Sequence, residues 1–408
     1  MTPQLAPTLA AWLHDWDPIA FGLGPATIYW YGISYVVGFA LAWLALKLIA
    51  ARGLTPIPGP AIGDIVLFGG IGGVIGGRLG YVLIYKPALL TEFSGAFPYW
   101  GVLHIAGGGM ASHGGMVGVL AGLAVLGMML RRRAARDNTP ELARVPTRHL
   151  VDLACAVAPL GLMCGRIANF INGELLGKVV VPTGQADPPW WSVRFPHEIL
   201  TRWGTGEVGS AQMVKAAEAV GMSQIEVVTS DAGWARFVQA YGGLLEQLRN
   251  GTPEQRQMAT NFMEVFVSPR HPSQLYQAAV EGPLLLLALV IVWAKPRVAG
   301  VVTAWFMILY GLGRISTEFY RLPDAGFAMA RPLGLSRGQW LSVALVIGGV
   351  GLLAYVLRRA AKRRAQGENE LESVPVFGGW LRPAFTASAT TKPGDAQRDR
   401  PTKDEKAQ

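Results

Sequence analysis

The sequence predicts an all-α polytopic membrane protein with about seven transmembrane helices, its N-terminus outside and its C-terminus in the cytoplasm. Three observations carry that reading. Half of the residues (51%) are hydrophobic, 15% are charged and the mean hydropathy is +0.31, values that exclude an ordinary soluble enzyme. Apolar segments near the ~20 residues that a bilayer-crossing helix needs recur along the chain. Basic residues concentrate in alternate connections, which gives each crossing a direction.

Seven candidate spans lie at approximately 28–50, 62–84, 111–130, 150–165, 278–294, 299–314 and 339–357, the fourth and sixth being short. Ahead of the first, residues 1–27 contain Asp15 and Asp17 and no Lys or Arg, as an outer segment should, and Trp12 and Trp16 suit interfacial anchors. No basic region precedes a short apolar core there, so a cleavable signal peptide is not predicted. Arg131, Arg132, Arg133, Arg136, Arg144 and Arg148 share one connection, Lys295 and Arg297 another, and Arg358, Arg359, Lys362, Arg363 and Arg364 follow the last span. The net charge of +9 therefore follows membrane topology and gives no reason to expect a nucleic-acid partner.

The second span carries Gly69, Gly70, Gly72, Gly73, Gly76, Gly77 and Gly80. No strand leads into a phosphate loop, and small residues repeated in an apolar helix predict close helix–helix packing. Cys155 and Cys164 fall in the fourth span, a rise of ~13 Å apart on a regular helix, which rules out a disulfide and leaves both as packing residues. The transmembrane core covers 28–357 and is interrupted at about 178–270 by an outer insertion with helical pattern around 211–220 and 233–250. Beyond it, 358–408 reads as a basic and then disordered cytoplasmic tail.

Polar residues in the spans do not scatter. The run Gly165-Arg166-Ile167-Ala168-Asn169-Phe170-Ile171-Asn172-Gly173-Glu174-Leu175-Leu176-Gly177 brings a cation, two amides and a carboxylate out of an apolar segment. Ionisable groups in such segments are functional-site candidates. Given the predicted topology, Tyr31, Arg78 with Tyr81, His113, and His271 with Gln274, Tyr276 and Glu281 all lie toward the outer side. Tyr310, Arg314, Glu318 and Arg321, spaced four, four and three, share one helix face at the same side. Arg314, Arg321, Arg331 and Arg337 breach the positive-inside rule, which predicts that something there requires fixed positive charge. Arginine suits a phosphate or carboxylate because its planar fork gives two hydrogen bonds and keeps its proton. The same residues also predict a structural network, Arg314 with Glu318 and Arg166 with Glu174. His104, His149 and His197 show no metal-ligand spacing, so no metal site is expected.

These motifs closely resemble those of the bacterial prolipoprotein diacylglyceryl transferases. The likeness runs from Trp30-Tyr31-Gly32 through Gly76-Gly77-Arg78-Leu79-Gly80-Tyr81, His113-Gly114-Gly115, the Gly165–Gly177 run and Arg270-His271-Pro272-Ser273-Gln274-Leu275-Tyr276 to Tyr310, Arg314, Glu318, Phe319 and Arg321-Leu322-Pro323-Asp324, in the family's order. Against that pattern, 178–270 looks long and the C-terminal tail is an extension. The resemblance implies a multi-pass enzyme of the bacterial inner membrane with its active site toward the outer leaflet. It implies transfer of the diacylglyceryl group of phosphatidylglycerol to the lipobox cysteine in a preprolipoprotein signal peptide, with membrane lipid as the setting and no cofactor. By the same carry-over, Arg166, Arg314 and His113 are the catalytic candidates. Tyr31, Arg78, Asn169, Asn172, Glu174, Gly177, Tyr310, Glu318 and Arg321 are the substrate-binding candidates. Whether His113 takes the thiol proton or the arginines lower the thiol's pKa without it stays open. A transporter needs polar groups through the midplane, whereas the inner halves of these spans are apolar apart from residues such as Asp152.

Overall fold

Helices long enough to cross a bilayer form wherever the sequence keeps its backbone hydrogen bonds within one apolar segment. In a computed structural model the described residues are 11–24, 26–95, 97–104, 108–139, 145–182, 187–202, 208–322, 334–367 and 372–373. Pro323, Asp324, Arg144, Arg331 and the tail beyond 373 lie outside them, as does the side chain of Arg337. Among the described residues six helices are long and apolar enough to span: Trp30–Ala51, Gly59–Ile84, His113–Arg136, Thr147–Ile171, Ser273–Val292 and Gly338–Ala365. The sixth expected span is the helix Val301–Glu318, which is not among those six and carries Arg314 and Glu318 near its end. Helix 147–171 begins and ends beyond the expected 150–165, so the Arg166–Ile171 segment is helical.

The glycine stripe packs as its spacing predicts. A Cβ on Gly72 would stand 2.2 Å from the Gly118 carbonyl oxygen, one on Gly76 2.3 Å from that of Gly114, and one on Gly122 2.1 Å from that of Phe68. Only glycine lets the two backbones touch over that length. Leu46, Ile62, Ile65, Leu123, Leu126, Leu153, Leu289 and Trp293 fill a common core. Outward, Val36, Leu83, Val117, Ile291 and Ile347 are each more than 60% exposed, an apolar exterior suited to lipid rather than water. Both cysteines are free.

Asp152, a carboxylate within helix 147–171, has a structural use. Its carboxylate accepts hydrogen bonds from the Gly300 and Thr303 amides at 2.6 and 2.8 Å and from the Thr303 hydroxyl at 2.6 Å. That caps the start of helix 301–318, where Gly300 adopts φ +104°.

Residues of the insertion build a helical head with a core of its own. Helices Ser210–Ala219 and Asp231–Asn250 match the two patterned stretches, and Glu198–Arg202, Gln224–Thr229 and Pro253–Phe266 join them. Met213, Val227, Phe237, Tyr241, Met263 and Phe266 are fully buried among them. A small sheet ties this head to the span ends. Trp12–Leu13 runs parallel to Val193–Arg194, which pairs antiparallel with Pro269–Arg270. Trp12, His14 and Trp16 gather around Phe170 at the end of helix 147–171, with ring centroids 5.3–5.9 Å from it. Burial drives the pKa of His14 down to about 4, so that imidazole is neutral near pH 7.

Candidate active site

Three helices deliver charge to one place at the head end of the bundle. Arg166, in the last turns of helix 147–171, donates from Nε to Glu281 Oε2 at 2.8 Å and from Nη2 to Oε1 at 3.2 Å. Glu281 lies in a π-helical turn, Val280–Leu284, within the 273–292 span, and its side chain has no exposed surface. Arg314 of helix 301–318 reaches Glu281 Oε1 at 3.6 Å with Nη1 and Glu318 Oε2 at 3.3 Å with Nη2. Arg321 Nη1 approaches that same Glu318 oxygen at 3.4 Å, and the Ser336 hydroxyl donates to the other at 3.3 Å. The Tyr310 hydroxyl is set against the Arg166 guanidinium.

The chain leaving helix 147–171 forms one wall. Gly173 and Leu175 adopt left-handed φ values of +64° and +52°, which turn the backbone sharply after Asn172. The Glu174 amide donates to the Asn169 carbonyl at 2.9 Å, and Asn172 Nδ2 lies 3.4 Å from the Glu174 carboxylate. Gln274 Nε2 donates to the Glu174 carbonyl, and the Ser273 hydroxyl to that of Leu175 at 2.9 Å. Gly177 then pairs with Arg321, flanked by Leu322 N to Leu176 O and Lys178 N to Tyr320 O, both 2.9 Å. A Cβ on Gly177 would sit 2.1 Å from the His271 carbonyl oxygen, so the position admits only glycine. Arg270 Nη1 donates to the Gly177 carbonyl at 3.1 Å while its Nε pairs with Glu198, both side chains being buried. Beside this wall His271 contacts the rings of Trp191 and Tyr320. Burial first, and Lys178 second, hold its imidazole below the usual histidine range.

The candidates named from sequence separate into two sets. Arg166, Arg314, Tyr310, Glu318 and Arg321 join in the network, and Asn169, Asn172, Glu174 and Gly177 form its wall. Tyr31, hydrogen bonded to Tyr35 at 3.4 Å, stands within electrostatic reach of both Glu174 and Arg166. Arg78 is different. Its guanidinium is buried and makes four hydrogen bonds to the carbonyls of Gly101, Val102, Gly108 and Gly109 at 2.7–3.0 Å, so its donors tie the backbone at 101–102 to that at 108–109. Among the described residues, no hydrogen bond or ion pair joins half-buried His113 to the arginines. One expected pairing is corrected. Arg166 meets Glu281 rather than Glu174, because Glu281 projects from the neighbouring span at the same depth while the turn at Gly173 carries Glu174 past it.

Comparison with known proteins decides the family. The family model described as prolipoprotein diacylglyceryl transferase matches residues 18–355, which span every helix of the site. The chain belongs to the prolipoprotein diacylglyceryl transferase family. A Bdellovibrio bacteriovorus protein named phosphatidylglycerol–prolipoprotein diacylglyceryl transferase is 36% identical over 363 residues, covering 87% of this chain and 96% of its own. Proteins of that name from Chromobacterium violaceum and Burkholderia cenocepacia are 36% and 34% identical, covering 85% and 86% of this chain and 97% and 98% of theirs.

In the sequence Glu281 stands near the site and Arg270 opens a motif, both without an assigned role, and nothing singles out Glu198. A carboxylate inside an apolar span was the available signal for Glu281, since such a charge needs a partner. Glu198 offered none, because its partner lies 72 positions away and the pairing exists only once the head has folded.

Proposed function

We propose that this chain transfers the diacylglyceryl group of phosphatidylglycerol to the lipobox cysteine thiol of a preprolipoprotein, the first step of bacterial lipoprotein maturation. The thiol loses its proton, and the thiolate attacks the glyceryl carbon that bears the phosphate ester. A carbon–sulfur bond forms and the carbon–oxygen bond breaks. The bonding electrons leave with the phosphate, giving a thioether and glycerol phosphate. No external energy source is needed, because the phosphoester is itself the activated donor.

The observation that carries this reading is the convergence of the Arg166 and Arg314 guanidiniums, from two different helices, on the one fully buried carboxylate of Glu281. A lipid phosphodiester carries one negative charge, and more charge gathers on its departing oxygen in the transition state, where fixed guanidiniums stabilise it most. Arg166 and Arg314 are assigned to the phosphate, with Glu281 holding both in place. Tyr31, Asn169, Asn172, Glu174 and Tyr310 orient the headgroup and the arginines, and Gly177 lets the wall close against His271. His113 is the candidate base, with thiolate formation in the field of the arginines as the alternative.

Alternation of the basic connections supports a seven-span topology in the bacterial inner membrane, with the head and site toward the outer leaflet and the tail in the cytoplasm. Helix 301–318, sixth in chain order, brings the number of spans to seven in this arrangement. A cell-free assay with phosphatidylglycerol vesicles and a lipobox peptide tests the proposal. Peptide gaining a diacylglyceryl group on its cysteine supports it, and a peptide that stays unmodified rejects it.

A further inference from the structure

The arginines answer the phosphate of the lipid, and the residues that orient the headgroup have not yet been matched to its two hydroxyls. Beyond the phosphate, phosphatidylglycerol carries a three-carbon unit with two hydroxyls, each a donor and an acceptor. Neutral groups that both donate and accept suit it, and a carboxamide does so without adding charge.

Such groups lie on the wall already described. Gln274, Gln277 and Glu281 are spaced three and four apart and share one face of the 273–292 helix. That face meets the end of helix 147–171 and its loop, since Glu281 holds Arg166, Gln274 bonds the Glu174 carbonyl and Gly282 abuts Met163. Gln277 stands between them with no exposed surface, and neither its Nε2 nor its Oε1 has a hydrogen-bond partner. Gln274 Oε1 and Asn172 Oδ1 are likewise buried and unpartnered. Buried amides normally find partners, and inside a span an orphaned one marks a functional site.

We propose that Gln277, flanked by Gln274 and Asn172, recognises the hydroxyls of the lipid headgroup and so makes the enzyme prefer a glycerol headgroup over one that lacks them. This rests on the transferase reading above. The hydroxyls reach Gln277 when the side chains covering it part, and the helix changes from α to π geometry at Val280–Leu284, directly after it. π-turns of this kind recur at functional sites.

The test compares phosphatidylglycerol with a lipid of the same acyl chains whose phosphate carries a plain propyl group. Both contain the scissile phosphoester, so thioether formation reports on either. The parent should use phosphatidylglycerol with kcat/KM about tenfold higher, the range of a hydrogen bond made in one case and absent in the other. Gln277→Met, similar in shape and unable to hydrogen bond, should lose about tenfold on phosphatidylglycerol and little on the propyl lipid, bringing the ratio near one. A shared loss on both lipids with the ratio kept assigns Gln277 to packing and overturns the proposal. If Gln277→Met does not fold, Gln277→Glu, which keeps acceptors and loses the amide donors, provides the second variant: it should narrow the ratio between the two lipids, an unchanged ratio overturns the proposal, and so does a parent indifferent to the two lipids. A parent that transfers neither overturns the transferase reading itself, a result distinct from any of these.

Discussion

Replacing Glu281 with Gln keeps the shape of the side chain and removes the charge that Arg166 and Arg314 share. Arg166 makes two charged hydrogen bonds to it, at 2.8 and 3.2 Å, and Arg314 adds a contact at 3.6 Å. The Glu281 side chain is fully buried, so solvent and salt screen little of that attraction. Removing one partner of a buried pair costs about 3–5 kcal/mol, since the remaining charge stays desolvated. Here two guanidiniums also face each other without their shared counterion. If the lower figure appears as misplacement of the arginines in the transition state, 1.36 kcal/mol per decade gives roughly a hundredfold lower kcat/KM. The assay is thioether formation on a lipobox peptide in phosphatidylglycerol vesicles, with thermal unfolding in detergent confirming that the variant folds. Glu281→Asp keeps the charge and should recover part of the loss. A folded Glu281→Gln enzyme within threefold of the parent would refute the argument that this carboxylate sets the arginines.

Arg166→Ala and Arg314→Ala should each abolish transfer while leaving membrane insertion intact, and the Lys variants should recover little because an ammonium lacks the bidentate fork; kinetics on purified protein check this. A cysteine-accessibility scan should label position 178 from outside the cell and positions 136 and 363 only from the cytoplasm, testing the topology. If His113 is the base, His113→Gln should slow transfer strongly at neutral pH and recover toward the thiol's own pKa of ~8.5; a pH-independent deficit moves the role to the arginines. His14 titrates near 4 when folded against 6.5 when unfolded, so its neutral form stabilises the fold above pH 6.5 and that stability is lost as pH falls from 6.5 to 4. The loss is about 3 kcal/mol at 1.36 kcal/mol per pH unit. Unfolding of His14→Phe should show a correspondingly flatter pH dependence over that window.

Legibility in the sequence followed the range of the interactions. Hydrophobic length located the spans, because backbone hydrogen bonding in lipid is local and forces a helix wherever the segment is long enough. The glycine stripe foretold backbone contact, since its small residues repeat on one helix face. Arg314 with Glu318 was visible for a similar reason, being one helical turn apart. The pairing of Arg166 was not, because Glu281 is 115 positions away and nothing local prefers it to Glu174. Arg78 shows another limit: its motif gives no sign that four loop carbonyls accept hydrogen bonds from its guanidinium, because they lie 23–31 positions away. The head was half legible. Helices 210–219 and 231–250 have clear amphipathic pattern, whereas the short 224–229 helix is fixed by packing against them.

The most direct test of the account is to measure both products of one reaction, diacylglyceryl peptide and free glycerol phosphate, for the parent and for Arg166→Ala and Arg314→Ala. The parent should give the two products in equal amounts and the folded variants neither. Near-normal yields of both from the variants, or lipidated peptide without glycerol phosphate from the parent, would contradict the assignment of the arginines to a departing phosphate.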